Sequence, residues 1–472
     1  MEYLPGILLL IGSSTLLGYS LYSYKTHSYK QALWALILLG LMLRIYTAAD
    51  PFLHKWDERY HALVAKNMIE EPFAPKFYKE AVLAYDYKNW AANHIWLHKQ
   101  PVSLWSLMMS MKIFGVNEFA IRIPSILLSS LFIFLVFAIS EELYSKKVGV
   151  LAAFFAAIHG LIIELSAGRV ATDHVDIHFM VFISLSVLSA IYFHKREKLI
   201  YNLLCAIFLA LAILCKWLPA LIVLPLWVLL GLKRGKNIKK LILPFLLLMG
   251  VTSLGVLPWQ LYILAEFPLE ANWEFSYNRK HVFEQLEQHA GDFLYFFTKI
   301  RIQYGELVYL PIVWMVYKSW KRKIELKSLF LLSWLFIPFV FFSLAQTKMK
   351  AYLLFTSPAI FIMVALFFHY LNIYQNRFKQ KWVVKLILIL LLILPLRYSL
   401  ERLKIFKERN PQAEVLKDKF NTYPADAVVF NQELYVEAMF YSSCIAVYPF
   451  KPNKEQLDII KAKGYQAIIE PD

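Results

Sequence analysis

Long apolar runs, repeated from one end of the chain to the other, limit this sequence more than any motif in it. A helix that crosses a hydrocarbon layer needs roughly 20 largely apolar residues. Runs near that length fall at residues 4–22, 31–49, 124–140, 148–165, 173–193, 199–215, 217–232, 241–262, 303–317, 328–345, 351–371 and 382–398. Lipid offers the backbone no hydrogen bonds, so such runs must satisfy their own peptide groups as helices. The chain is therefore expected to be an α-helical integral membrane protein with about twelve spans. The runs 199–215 and 217–232 are the hardest to separate, since only Lys216-Trp217 stands between them, with Pro219 just after.

Composition agrees. Of 472 residues 59% are hydrophobic, against about 45–50% in a typical soluble domain. The net charge of +16 would suit nucleic acid if the cations lay along one face. They lie instead in short clusters between the apolar runs, so a nucleic-acid partner is not expected. Cationic loops stay on the cytoplasmic side. With the end of 31–49 placed outside, the inner loops hold Lys25/Lys30, Lys146/Lys147, Lys195/Arg196/Lys198, Lys233/Arg234/Lys236/Lys239/Lys240, Lys318/Lys321/Arg322/Lys323/Lys327 and Arg377/Lys379/Lys381/Lys385. Three cysteines, Cys205, Cys215 and Cys444, form no CxxC or Cys/His array, which argues against a disulfide framework or a structural zinc. Met1-Glu2-Tyr3-Leu4-Pro5 lacks the basic start and cleavage site of a signal peptide, so the first run is expected to remain as a helix.

This orientation leaves residues 50–123, 263–302 and the tail from 399 outside. In the first, Tyr60–Met68 has helical periodicity. Pro101–Phe114 spaces Trp105, Met108, Met109 and Ile113 as an interfacial helix would. The tail alternates helix at Glu414–Phe420, strand at Ala427–Phe430, helix at Glu433–Tyr441, strand at Ile445–Tyr448, helix at Lys454–Lys463 and strand at Tyr465–Ile469. That pattern suggests a small α/β domain. It has no glycine-rich phosphate loop. Two units are expected: a membrane domain over 1–398, with outer loops 50–123 and 263–302, and an outer α/β domain over 399–472.

Charges in or beside the spans gather at this same outer end: Arg44, Asp57, Glu58, Glu164, Arg169, Asp173, Asp176, Lys216, Glu266, Lys348 and Lys350. A transporter, the main alternative, would hold such groups near mid-span. A membrane acyltransferase would want a reactive buried histidine, for which His178 is the candidate. Cations and carboxylates at the lipid surface suit a sugar carried on a polyprenyl phosphate. Lys and Arg would neutralise the phosphate as it leaves, and a carboxylate would take the proton of the attacking hydroxyl.

The order of short motifs carries a resemblance. Asp57-Glu58-Arg59-Tyr60 is followed by His98-Lys99-Gln100-Pro101, then by Phe114-Gly115-Val116-Asn117-Glu118 with Arg122-Ile123-Pro124. Next come Arg169-Val170-Ala171-Thr172-Asp173, Tyr277-Asn278-Arg279-Lys280-His281-Val282-Phe283, and Phe342-Ser343-Leu344-Ala345-Gln346-Thr347-Lys348 leading to Tyr352. Over residues 31–370 and the tail, this resembles the polyprenyl-phosphate-dependent GT-C glycosyltransferases, above all the aminoarabinose (lipid A) transferase and protein O-mannosyltransferase relatives. The resemblance implies an inverting transfer of one sugar to a lipid, glycan or protein acceptor at the outer face of the cytoplasmic (inner) membrane. It makes Asp57 the base, Asp173 a second carboxylate shaping the cavity, and Glu58 their support. Lys99, Arg279, Lys348 and Tyr352 become candidates for the lipid phosphate. Gln100 departs from the proline the family usually shows there. No cofactor is required, although His98 and Asp57 could share a divalent metal. Each residue also has a plainer reading: Asp57, Glu58 and Asp173 as acids at helix N-termini, Lys99 and Lys348 as cations reaching for headgroups.

Overall fold

The computed structural model describes residues 4–171, 173–233, 238–321, 325–404 and 412–471. Thr172, the basic positions Arg234, Lys236, Arg322 and Lys323, and Met1-Glu2-Tyr3 lie outside them. Helices α1 (Leu4–Lys25) and α2 (Tyr29–Ala48) open the chain, and α3 (Asp57–Asn67) and α4 (Pro101–Phe114) belong to the first long excursion. The centre holds α5 (Glu118–Leu143), α6 (Lys146–Ile158), α7 (Gly160–Ser166), α8 (Asp173–Arg196) and α9 (Leu199–Lys216). Then come α10 (Val223–Lys233), α11 (Ile238–Glu266), α12 (Pro268–Phe283), α13 (Tyr295–Tyr304), α14 (Tyr309–Lys321), α15 (Leu326–Leu344), α16 (Ser357–Tyr374) and α17 (Lys381–Leu403).

Among the described residues, nine helices are long and apolar enough to cross a membrane, or ten if α6 and α7, bent by 51°, make one span. The chain is a multi-pass membrane protein. Two of the twelve apolar runs form shorter helices than their length in sequence, for local reasons. Trp217 takes a left-handed φ of +62° and Pro219 removes a backbone donor, so 217–232 becomes a 3-10 turn, Leu218–Ile222, leading into the short α10. Gly305, with φ +93°, divides 303–317 between α13 and α14.

The bend between α6 and α7 explains one buried charge. Breaking the helix leaves the last carbonyls of α6 without their amide partners. Arg44, fully buried in α2, donates from Nη1 to Ala157 O at 3.1 Å and from Nη2 to Ala156 O at 3.2 Å. Its Nε reaches Ser129 Oγ at 2.8 Å. Arg44 therefore holds helices together and is not part of an outer charge cluster.

The tail folds as α18 (Ala413–Asn421), β1 (Ala427–Phe430), α19 (Tyr435–Tyr441), β2 (Ala446–Val447), α20 (Lys454–Ala462) and β3 (Gln466–Ile469). Its strands form a parallel sheet in the order β2-β1-β3, with Val428 opposite both Ala446 and Ala467. Asn453 and Gln456 cap α20 reciprocally. The tail shares one hydrophobic core with the first excursion: Leu63, Phe77 and Trp96 lie in the same cluster as Val428, Phe430 and Phe440. Arg59 Nη1 meets Glu437 Oε1 at 3.2 Å, which ties α3 to α19.

Candidate active site

The ends of several helices and the two long excursions enclose a cavity of about 500 Å³. Asp57, Tyr60 and His61 of α3 line it, with Trp90, Trp96, His98 and Lys99 from the first excursion. Cys215, Lys216 and Trp217 come from the end of α9, Asn278 and Arg279 from α12, and Thr347 and Tyr352 from the segment after α15.

Asp57 is the first residue of α3, where free backbone N–H groups favour an acid. Its Oδ2 lies 3.8 Å from Lys99 Nζ, with both side chains about a fifth exposed. Lys216 also lines the cavity, pairs with Asp176 and packs its ammonium 4.8 Å from the Tyr352 ring centre. Arg279 stands exposed on the wall. Lys99, Lys216 and Arg279 thus line one cavity together with the carboxylates Asp57 and Glu287, an arrangement that would hold a phosphate next to a base.

Glu58 adjoins Asp57 in sequence but is wholly buried behind the cavity. Its Oε1 receives Arg122 Nε at 2.7 Å, and its Oε2 receives Arg122 Nη2 at 3.0 Å and the His54 N–H at 2.7 Å. Burial alone would raise this carboxyl; Arg122 and His54 instead hold it well below the usual carboxylate range. Gly168 passes so close, at φ +70°, that a Cβ there would sit 2.2 Å from Glu58 Oε1. The Arg122 fork also takes Ala48 O at 2.9 Å and Phe52 O at 2.9 Å. Glu58 and Arg122 therefore fasten the backbone that enters α3, and Glu58 meets no open space.

Asp173 is also buried, with Oδ1 2.8 Å from His61 Nδ1; the ring of His61 lines the cavity, and Asp173 does not. Lys348 does not line the cavity. Its Nζ donates to Ala345 O at 2.6 Å and its backbone N–H to His289 O at 3.0 Å. Tyr352 lines the cavity. His98 stacks on Trp90 with centroids 4.6 Å apart, and its Nδ1 lies 3.5 Å from Glu274 Oε1. Among the described residues no three His, Cys, Asp or Glu side chains converge on one point. His178 is fully engaged, donating from Nδ1 to His174 O at 2.6 Å and accepting at Nε2 from Ser106 Oγ at 2.5 Å.

The sequence singles out neither His61 nor Glu274, two residues at or beside the cavity, and places Lys216 at the outer end without a role. Lys216 was visible as a cation closing an apolar run, but nothing in the run says which way it turns. Glu274, on α12, is almost completely buried, and burial pushes its carboxyl up to about 8 against the pull of Lys99 and His281.

Comparison with known proteins supports the resemblance. A family model described as dolichyl-phosphate-mannose-protein mannosyltransferase matches residues 98–262. The undecaprenyl phosphate-alpha-4-amino-4-deoxy-L-arabinose arabinosyl transferase 2 of Pseudomonas fluorescens (strain Pf0-1) is 25% identical over 350 residues, 68% of this chain and 57% of that one. The corresponding transferase of Pseudomonas savastanoi pv. phaseolicola is 25% identical over 67% of this chain and 58% of its own length. The chain thus spans little more than half the length of these relatives. Two solved structures share the fold. ArnT from Cupriavidus metallidurans, bound to undecaprenyl phosphate, superposes with a TM-score of 0.63 at 14% identity, covering 92% of this chain and 88% of that one. The archaeal oligosaccharyltransferase AglB from Archaeoglobus fulgidus, with an inhibitory peptide and a dolichol-phosphate, gives 0.59 at 13% identity, covering 93% and 69%. The chain has the GT-C fold and resembles the aminoarabinose transferase and O-mannosyltransferase relatives.

Proposed function

We propose that this chain is an inverting glycosyltransferase that moves one sugar from a polyprenyl phosphate to an acceptor hydroxyl. The step takes place at the outer face of the cytoplasmic membrane, with the tail on that side. The observation that carries this reading is the meeting of Asp57 and Lys99 in a cavity also lined by Lys216 and Arg279. Relatives that match much of the chain are named for an undecaprenyl phosphate-linked sugar, and a structure of the same fold holds undecaprenyl phosphate.

The chemistry follows from charge and reach. Asp57 accepts the acceptor's O–H proton as its oxygen attacks the anomeric carbon. The bond from that carbon to the phosphate oxygen breaks on the opposite face, which inverts the centre. The carrier leaves as a phosphate monoester with more negative charge than it brought. Lys99, Lys216 and Arg279 stabilise that growing charge at a place from which protein has excluded much of the water. Phosphate is already a good leaving group, so no acid needs to protonate it. Lys348 is assigned to shaping the loop that precedes Tyr352.

The test is Asp57→Asn in the purified full chain, supplied with lipid-linked sugars extracted from cells lacking it. Transfer is expected to fall by at least a hundredfold, with binding of undecaprenyl phosphate and thermal stability kept. Turnover near the native rate would remove Asp57 as the base.

A further inference from the structure

His61 follows Asp57 by one helical turn, so the two side chains share a face of α3, and both line the cavity. The motif reading passed over it. His61 is 1% exposed, and its Nδ1 sits 2.8 Å from a carboxylate oxygen of Asp173, itself wholly buried. A carboxylate only accepts, so Nδ1 carries the proton and donates it to Asp173. In the neutral ring that leaves Nε2 as a pure acceptor. The Trp96 ring meets the imidazole edge to face at 5.7 Å, which fixes the plane. Among the described residues Nε2 is buried and has no hydrogen-bond partner. Native proteins rarely leave such an atom unmet without a use for it.

We propose that His61 Nε2 accepts a hydrogen bond from a sugar hydroxyl bound beside Asp57, and that Asp173 is the positioning residue that sets its tautomer. The proposal rests on the glycosyltransferase reading and deepens it. The matching group is an uncharged O–H donor. An ammonium group would also donate, but it would add a positive charge to a cavity already lined by Lys99, Lys216 and Arg279. The hydroxyl belongs either to the sugar on the carrier or to the acceptor, and both offer the same chemistry to the ring. Asp173, expected to shape the cavity, acts on it from behind.

Two substitutions separate this role from a structural one. His61→Asn places an amide N–H near Nδ1, keeping the bond to Asp173 and deleting the Nε2 acceptor. His61→Gln places its amide near Nε2 and gives up Asp173. The full chain is assayed for binding of undecaprenyl phosphate, for binding of the lipid-linked sugars extracted from cells lacking the chain, and for transfer to an envelope glycolipid extract. With His61→Asn, Tm is expected to stay within a few degrees, and undecaprenyl phosphate binding within twofold. Affinity for the sugar-bearing lipid drops about tenfold if the hydroxyl is the carrier sugar's. If it is the acceptor's, that affinity holds and the acceptor KM rises about tenfold. His61→Gln should show the reverse, a lower Tm with sugar affinity largely kept. His61→Asn that behaves as native in all assays, or loses only Tm, overturns the proposal. A native chain that transfers no sugar from the same pool overturns the glycosyltransferase reading and this inference together.

Discussion

Asp57 and Glu58 are neighbours in sequence, and the fold gives them opposite tasks. Glu58 holds both oxygens against Arg122 and the His54 N–H, while Asp57 faces the cavity with Lys99 at 3.8 Å. Removing one partner of a buried ion pair typically costs about 3–5 kcal/mol, because the other charge is left uncompensated. Glu58→Gln is therefore expected to lower Tm markedly and to loosen the entry to α3, whereas Asp57→Asn should leave Tm nearly unchanged; calorimetry of both variants checks the contrast. Glu274 permits a pH test. Its carboxyl is held up to about 8 by burial, with Lys99 and His281 pulling it down and His98 Nδ1 3.5 Å away. A carboxyl with a raised folded-state pKa binds its proton more tightly when folded, so its stabilising effect is complete below about 4.5 and disappears as pH rises through about 8. The nearby His98 is held well below its ordinary value by burial and bends the native curve the other way at low pH, so the difference between variants is what isolates Glu274. The Tm of Glu274→Gln, relative to the native chain, should climb between pH 5 and 8; a constant difference would show that the carboxyl ionises normally. That Asp57, Lys99 and Tyr352 meet at one cavity was legible because each stands in a short motif on the same side of the membrane. Lys348 was not, since its motif fixes the backbone path but not where the ammonium turns.

At the level of elements, the tail was legible almost residue by residue, because short amphipathic helices and apolar strands announce themselves through their own periodicity. What it packs on was not. Lys66 adds to the contact between α3 and α19: its Nζ donates to Met439 O at 2.8 Å, Phe440 O at 3.0 Å and Ser442 O at 2.6 Å. These carbonyls close α19, where no later amides remain to meet them. Burial lowers the Lys66 ammonium to about 8, an expense met by three acceptors at a negative helix end. Lys66→Met keeps the aliphatic stem and deletes the donors. Hydrogen exchange at residues 435–447 should then quicken, while exchange in α8 stays as it was. Unchanged protection over α19 would mean that the shared apolar core and the Arg59–Glu437 pair hold the tail without Lys66. The span boundaries were less legible where Trp217 and Gly305 turn the chain, because a hydropathy run reads through a break that is only one or two residues wide.

For the whole molecule, the ends of one helix state the orientation argument in its simplest form. α8 runs from Asp173 to Arg196, and 24 residues at 1.5 Å each are enough to cross the hydrocarbon layer. Its first end carries Asp173 behind His61, and Asp176 paired with Lys216. Its last end carries Lys195 and Arg196, within reach of Glu142, close to the Lys146/Lys147 cluster. Basic residues near span ends are held on the cytoplasmic side during insertion, so the cavity end should face outward. The three native cysteines are buried, but Cys215 lines the cavity, so labelling is done in a Cys215→Ala background. Lys88, exposed in the first excursion, and Lys198, exposed beyond α8, are then suitable reporter positions. In spheroplasts, Lys88→Cys is expected to react with a membrane-impermeant maleimide at once, and Lys198→Cys only after the membrane is opened. The opposite pattern would put the cavity in the cytoplasm, where nucleotide sugars are at hand and the case for a lipid-borne donor loses its reason.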